Sequence, residues 1–354
     1  MSKKKWRKII LVVLFVILNI GVILATGISE FGNSENAIKL SEVKINWWLL
    51  IPAVLCFLIA IVAEISKYAL MIRKMSSAKN FKEKNGWGVA RRTVLLGRYY
   101  DNITPAAIGG QPFQIYYMRK NSGLSAGAST SIPMFGMISL QIAFIIIALI
   151  CFVFGGVAGD YPALIVTAWI GLAFYAFWPL MVAGVSFFPK ATTAFIKWIV
   201  KILAKLRVIK DREKSLKKVE DEVKEYTTSV KMILKTKGLF LQTILLSLVY
   251  NLFIATIPFF VLTAFGGNVN FWSCLGTTIA VMSAVYFVPT PGNAGAAEGT
   301  FYLVFSTLSS GYVFWAMLIW RFFSYYIYII MGPIIYFFRH LEKRSDNIHD
   351  KKKS

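Results

Sequence analysis

Apolar residues in this chain run in blocks too long for the core of a soluble domain, and lysine and arginine dominate the polar positions between them. Crossing the hydrocarbon of a bilayer takes about 20 consecutive apolar residues as helix. Six blocks reach that length: roughly 9–26, 47–71, 126–156, 162–188, 239–265 and 312–338. Two further apolar stretches are interrupted. Val94 to Met118 contains Asn102-Ile-Thr-Pro-Ala-Ala-Ile-Gly-Gly-Gln-Pro112, and Phe271 to Gly311 contains Pro289-Thr-Pro-Gly-Asn-Ala-Gly-Ala-Ala-Glu-Gly299. Proline removes a backbone donor and clashes one turn back, and glycine weakens a helix, so neither run propagates as ordinary helix. Loose backbone at membrane depth is tolerated only where protein covers it or where it lines a wet cavity.

Charge sets the direction of each block, because cytoplasmic loops are enriched in lysine and arginine. The start, Met-Ser-Lys-Lys-Lys-Trp-Arg-Lys, lacks a convincing small-residue cleavage site and predicts a retained first helix with a cytoplasmic N-terminus. Arg73, Lys74, Lys79, Lys82, Lys84, Arg91 and Arg92 mark a cytoplasmic loop after the second block, and Arg119-Lys120 closes the first broken stretch on that same side. A re-entrant hairpin fits this parity. Residues 189–238 hold fourteen Lys and Arg against six Asp and Glu and are cytoplasmic. Within them Phe195, Trp198, Ile199, Ile202 and Leu206 share a helical face from which Lys197 and Lys201 are absent, the pattern of an interfacial helix on anionic lipid. Arg339, Lys343, Arg344 and Lys351 to Lys353 place the C-terminus in the cytoplasm, so Phe271 to Gly311 begins and ends outside. It reads as a second hairpin from the opposite face, the alternative being a pair of full spans.

The expected fold is an all-α polytopic membrane protein with about six transmembrane helices and two oppositely oriented re-entrant hairpins in an inverted repeat. One transmembrane domain covers 1–340, with halves 47–156 and 239–338 and the basic loop 189–238 between them, followed by a tail, 341–354. Paired broken segments in inverted halves point to a site at mid-membrane.

Composition agrees: 57% of residues are hydrophobic and 16% charged, and the net charge of +22 is spread between spans, which argues against nucleic-acid binding. Cys56, Cys151 and Cys274 lie in apolar runs without paired spacing and read as small apolar residues. The two histidines, His340 and His349, fall in the tail, so no histidine-based triad or metal site is expected within the membrane. No phosphate-binding glycine loop is present, and no cofactor is implied.

An ionisable side chain inside a span carries an insertion penalty on the order of 2.5–3.5 kcal/mol, so each asks for a reason. Around the first break the candidate substrate-binding residues are Arg98, Asp101, Asn102, Thr104, Gly109, Gly110, Gln111 and Gln114. Around the second they are Pro291, Gly292, Asn293 and Glu298, with Arg321 inside the last block. Opposite signs allow Asp101 to pair with Arg98 or Arg321, and Glu298 with Arg321. A functional reading is a polar cavity for a lipid headgroup, with helix N-termini and an arginine on its phosphate and the carboxylates facing an ammonium. A structural reading is that these charges hold the bundle together. Glu64 is expected to snorkel to the interface, and Gln141 and Asn251 to make interhelical hydrogen bonds.

The run from Gly97 to Met118 resembles the signature of the lysylphosphatidylglycerol synthase transmembrane-region family, also called flippase-like, and Pro289 to Glu298 resembles its second motif. The likeness covers roughly residues 8–340. Members such as the multiple peptide resistance factors join this membrane region to a cytosolic domain that moves lysine from lysyl-tRNA to phosphatidylglycerol, and the membrane region flips the product outward. Only about sixteen residues follow Phe338, so that domain is expected to be absent. The resemblance implies a flippase of the cell membrane for an anionic or aminoacylated phospholipid. Its alternatives are a phosphatidylglycerol lysyltransferase, or a scaffold whose partner is a separately encoded lipid-modifying enzyme.

Overall fold

A computed structural model describes residues 44–75, 83–105, 107, 109–154, 157, 161–205, 237–308 and 313–337, with scattered positions elsewhere. Nearly all of the expected first span, 9–26, and the tail 341–354 lie outside the described residues, as does Leu206 of the interfacial face.

The described chain is helical. Trp47 to Leu49 form a 3-10 turn that leads into α1 (Leu50–Met75), followed by α2 (Glu83–Ile103) and α3 (Gly110–Asn121). Next come α4 (Ala126–Val153), α5 (Pro162–Phe187) and α6 (Pro189–Lys205). The second half holds α7 (Lys237–Ala264), α8 (Phe271–Val285) and α9 (Ala296–Leu308). The last helix, α10, runs from Val313 to Phe337. Among the described residues five helices, α1, α4, α5, α7 and α10, are long and apolar enough to cross a membrane.

Local chemistry explains several ends. Ser125 Oγ accepts from the Ala128 amide at 3.2 Å to start α4, Pro162 occupies the first turn of α5, and Asn270 Oδ1 accepts from Trp272 and Ser273 to start α8. The Asn46 amide donates to the Ala264 carbonyl at 2.9 Å, which fixes the start of α1 beside the end of α7. α1 and α7 pack along their length, and a core of Phe57, Tyr250, Phe301, Phe305 and Trp320 joins them to α9 and α10. A second cluster around Tyr68, Val94, Tyr117 and Phe135 fastens α2 and α3 to α1 and α4. The three cysteines are buried and free.

Two expectations change. Lys84, Arg91 and Arg92 belong to α2, not to a loop, because the first arm of the broken stretch begins at Glu83. Glu64 does not snorkel: it is 4% exposed and pairs at 2.8 Å with Lys67, itself 0% exposed. A carboxylate in a span can stay buried when an ammonium one turn away neutralises it.

The two interrupted stretches are both helix–break–helix units. In the first the break covers 104–109, and in the second 286–295. The arms of the second have 15 and 13 residues, about 22 and 20 Å of helix, which is short of the roughly 30 Å hydrocarbon thickness. The two breaks touch. Pro105 and Pro291 form an isolated antiparallel bridge, so backbone from the two motifs lies side by side in the bundle.

Candidate functional site

Each break is closed by a carboxylate that caps the helix leaving it. On the first, Asp101 Oδ1 accepts from the Gly110 amide at 2.9 Å, and Thr104 Oγ1 donates to the Tyr100 carbonyl at 2.7 Å while accepting from the Gly109 amide at 2.9 Å. A Cβ on Gly110 would run into the Asp101 carboxylate, so the contact needs glycine there. On the second, Glu298 Oε2 accepts from the Gly295 amide at 2.7 Å, and Thr290 Oγ1 donates to the Ala294 carbonyl at 2.9 Å. In both motifs an anion sits where a helix presents unsatisfied N–H groups and partial positive charge.

The resemblance ends at the charges. Glu298 Oε1 is held by Arg321 Nε at 2.6 Å, and Arg321 also donates to the Gly292 carbonyl at 3.2 Å. Gly292 has φ +57° and its α-carbon faces the Tyr325 ring, so a side chain there meets both strain and a clash. Arg321 lies 4.5 Å from the Tyr325 ring and is 4% exposed. This pair is fully engaged. Arg98 is not: its guanidinium lies 4.9 Å over the Tyr250 ring and has no hydrogen bond or ion pair with a described residue. Asp101 and Glu64 act on its charge from beyond ion-pair distance.

Arg98 faces a cavity of about 300 Å3 between the first motif, helices α4 and α5, and Tyr286 at the start of the second break. Asp101 and Gln111 line it from the motif, and Gln141, Tyr175 and Tyr286 from the facing elements. Tyr175 and Tyr286 stack at 3.7 Å between ring centroids, and Gln141 Nε2 donates to Tyr286 Oη at 2.9 Å. The wall exists because α5 and α8 approach at Gly171, where a Cβ would strike the Ser283 carbonyl.

The candidate residues therefore separate. Arg98, Asp101 and Gln111 share the cavity. Thr104, Gly109 and Gly110 shape its motif, and Asn102 donates to the Tyr325 carbonyl at 3.3 Å. Gln114 is buried elsewhere, accepting from Tyr68 Oη at 3.1 Å and donating to the Thr93 carbonyl at 3.4 Å. Pro291, Gly292, Asn293, Glu298 and Arg321 do not line the cavity. Asn293 holds a left-handed turn at φ +55°. Neither expected partner of Asp101, Arg98 or Arg321, forms an ion pair with it; its carboxylate accepts from the Gly110 amide instead.

Other residues carry a larger part than their sequence context suggested. Asn251 makes an interhelical bond, to the Leu140 carbonyl at 2.9 Å, whereas Gln141 also lines the cavity. Tyr175 and Tyr286 had no sequence signal, since only the α5–α8 contact brings them together. Lys67 had one: Glu64 and Lys67 stand three residues apart within a span. α10 reaches both motifs through a five-residue π turn, Phe322–Tyr326, directly after Arg321. The extra residue in such a turn displaces the helical hydrogen-bond ladder, and the Tyr325 carbonyl within it accepts from Asn102.

Compared with known families, residues 9–332 match the model described as the lysylphosphatidylglycerol synthase TM region. No curated protein and no solved structure matches the chain. With nine-tenths of its length inside that match, the chain belongs to the lysylphosphatidylglycerol synthase TM region family.

Proposed function

We propose that this protein moves a phosphate-bearing lipid of the lysylphosphatidylglycerol type between leaflets, holding its headgroup in the cavity beside the first motif. The observation that carries this reading is Arg98, a guanidinium free of ion-pair partners among the described residues, facing a roughly 300 Å3 cavity at a broken helix. A desolvated arginine donates to a phosphodiester in fork geometry, and Asp101 beside it suits an ammonium or hydroxyl on the same headgroup. The short arms of the second unit and the 12-residue α3 of the first support re-entrant hairpins, and charge parity supports their entry from opposite faces with both termini cytoplasmic. In this reading the Glu298–Arg321 pair and the π turn of α10 are structural: they hold the second hairpin against the first while the lipid passes the first.

The test is reconstitution into liposomes with fluorescent phosphatidylglycerol and lysylphosphatidylglycerol, following leaflet distribution by chemical quenching. Arg98→Gln is expected to slow exchange about tenfold or more without changing the unfolding temperature. Unchanged exchange in a folded Arg98→Gln protein refutes the headgroup assignment. The family's description as a synthase membrane region favours a second reading, membership of a lipid-aminoacylating synthase. Formation of aminoacyl lipid by the purified chain from lysyl-tRNA and phosphatidylglycerol would establish it.

A further inference from the structure

The basic segment after α5 carries a second concavity, far in sequence from both motifs. Val223, Lys224, Thr227, Thr228 and Lys231 are helical and share one face by their spacing. With Lys190 and Thr193 from the first two turns of α6 they enclose about 290 Å3. Among the described residues that line it none is acidic. None of the three lysines pairs with a described carboxylate. Three ammoniums around one hollow repel one another, and Lys190 also stands at a helix N-terminus, where the macrodipole opposes a cation.

Thr227 supplies an independent observation. It is only 6% exposed, yet its hydroxyl has no hydrogen-bond partner among the described residues, whereas the neighbouring Thr228 Oγ1 donates to the Lys224 carbonyl at 2.8 Å. A buried hydroxyl without a partner is disfavoured unless a ligand completes it. The same helix α6 turns Phe195 and Trp198, stacked at 5.9 Å, away from the protein, at 59% and 57% exposure. Exposed aromatics beside lysines are the pattern of a helix at the level of lipid headgroups.

We propose that this pocket is a binding site for a phosphate group, with Lys190, Lys224 and Lys231 supplying charge and Thr193 and Thr227 supplying hydroxyl donors. The phosphate comes either from the headgroup of an anionic phospholipid seated beside α6 or from a soluble phosphate. The site is separate from the Arg98 cavity and does not depend on the transport reading.

The full chain, held in phosphatidylcholine nanodiscs, is titrated calorimetrically with inorganic pyrophosphate in one arm and dihexanoyl phosphatidylglycerol in the other. Three variants are compared: K190Q/K224Q/K231Q, the charge-matched K44Q/K74Q/K120Q at exposed lysines outside the pocket, and T227V. Saturable binding of at least one probe is expected. The pocket triple should weaken it about tenfold or more, T227V about threefold, and the charge-matched triple less than about twofold. Binding of dihexanoyl phosphatidylglycerol alone identifies a lipid site, and binding of pyrophosphate, alone or in competition with the lipid, identifies a site open to soluble phosphate. Absence of saturable binding by both probes, or equal losses in the two triples, overturns the proposal. If the pocket triple does not fold, K224Q and T227V carry the same comparison, and unchanged affinity in both overturns it.

Discussion

Lys67 offers the sharpest test of how this membrane domain is held together. Its ammonium forms an ion pair with Glu64 Oε2 at 2.8 Å and donates to the Gly136 carbonyl at 3.0 Å and to Ser247 Oγ at 3.1 Å, so three oxygens from helices α1, α4 and α7 surround it. Gly136 must be glycine for this, since a Cβ there would press on the Tyr68 ring at 2.8 Å. Replacing Lys67 with methionine preserves most of the volume and strands the three oxygens unequally. The Gly136 carbonyl keeps the Ser139 hydroxyl at 2.9 Å, and Ser247 still donates to Ser139 at 3.2 Å. Only the Glu64 carboxylate is left buried without its counter-charge. Breaking one side of a buried pair destabilises by about 3–5 kcal/mol, whereas replacing both by neutral groups of like volume is often nearly neutral. Lys67→Met is therefore expected to destabilise by about 3–5 kcal/mol, and adding Glu64→Gln to recover about 2–3 kcal/mol of it. Chemical denaturation in detergent, followed by tryptophan fluorescence, measures both. A Lys67→Met protein as stable as wild type, or a double variant no better than the single, would refute the reasoning.

Two further outcomes follow from close contacts. Gly171→Ala drives a Cβ into the Ser283 carbonyl, backbone against backbone, and is expected to lower stability by about 1–3 kcal/mol and to part the Tyr175–Tyr286 stack; detergent thermal unfolding and tyrosine fluorescence read it. Asp101→Ala removes the acceptor of the Gly110 amide and is expected to lower stability by about 1 kcal/mol, whereas Asp101→Asn retains an acceptor and most of that stability; equal losses would show that the cap is not what Asp101 contributes.

Much of the architecture was legible in the linear pattern. Membrane-length apolar blocks mark α1, α4, α5, α7 and α10, because backbone polar groups must be satisfied within each segment and periodic apolar sequence has no other solution in lipid. The two broken stretches were legible for the converse reason: proline and glycine forbid the continuous helix that lipid demands. The family resemblance rested on those same motif residues and agrees with the match over residues 9–332.

Proline and glycine already mark where helix must break, and apolar context marks which charges have to be explained. How each charge is used depends on side chains distant in sequence, so it emerges only when the helices pack. Glu298 and Arg321 are 23 residues apart and neutralise each other, while Arg98, in an equally apolar setting, meets a tyrosine ring and an open cavity instead. The cavity wall needs Gly171 to let α5 approach α8, and the bridge at Pro105 and Pro291 needs both breaks to reach the same depth. Glu64 shows the point most directly: one ionisable residue in a span is compatible with snorkelling or with burial, and three oxygens arranged around Lys67 select burial.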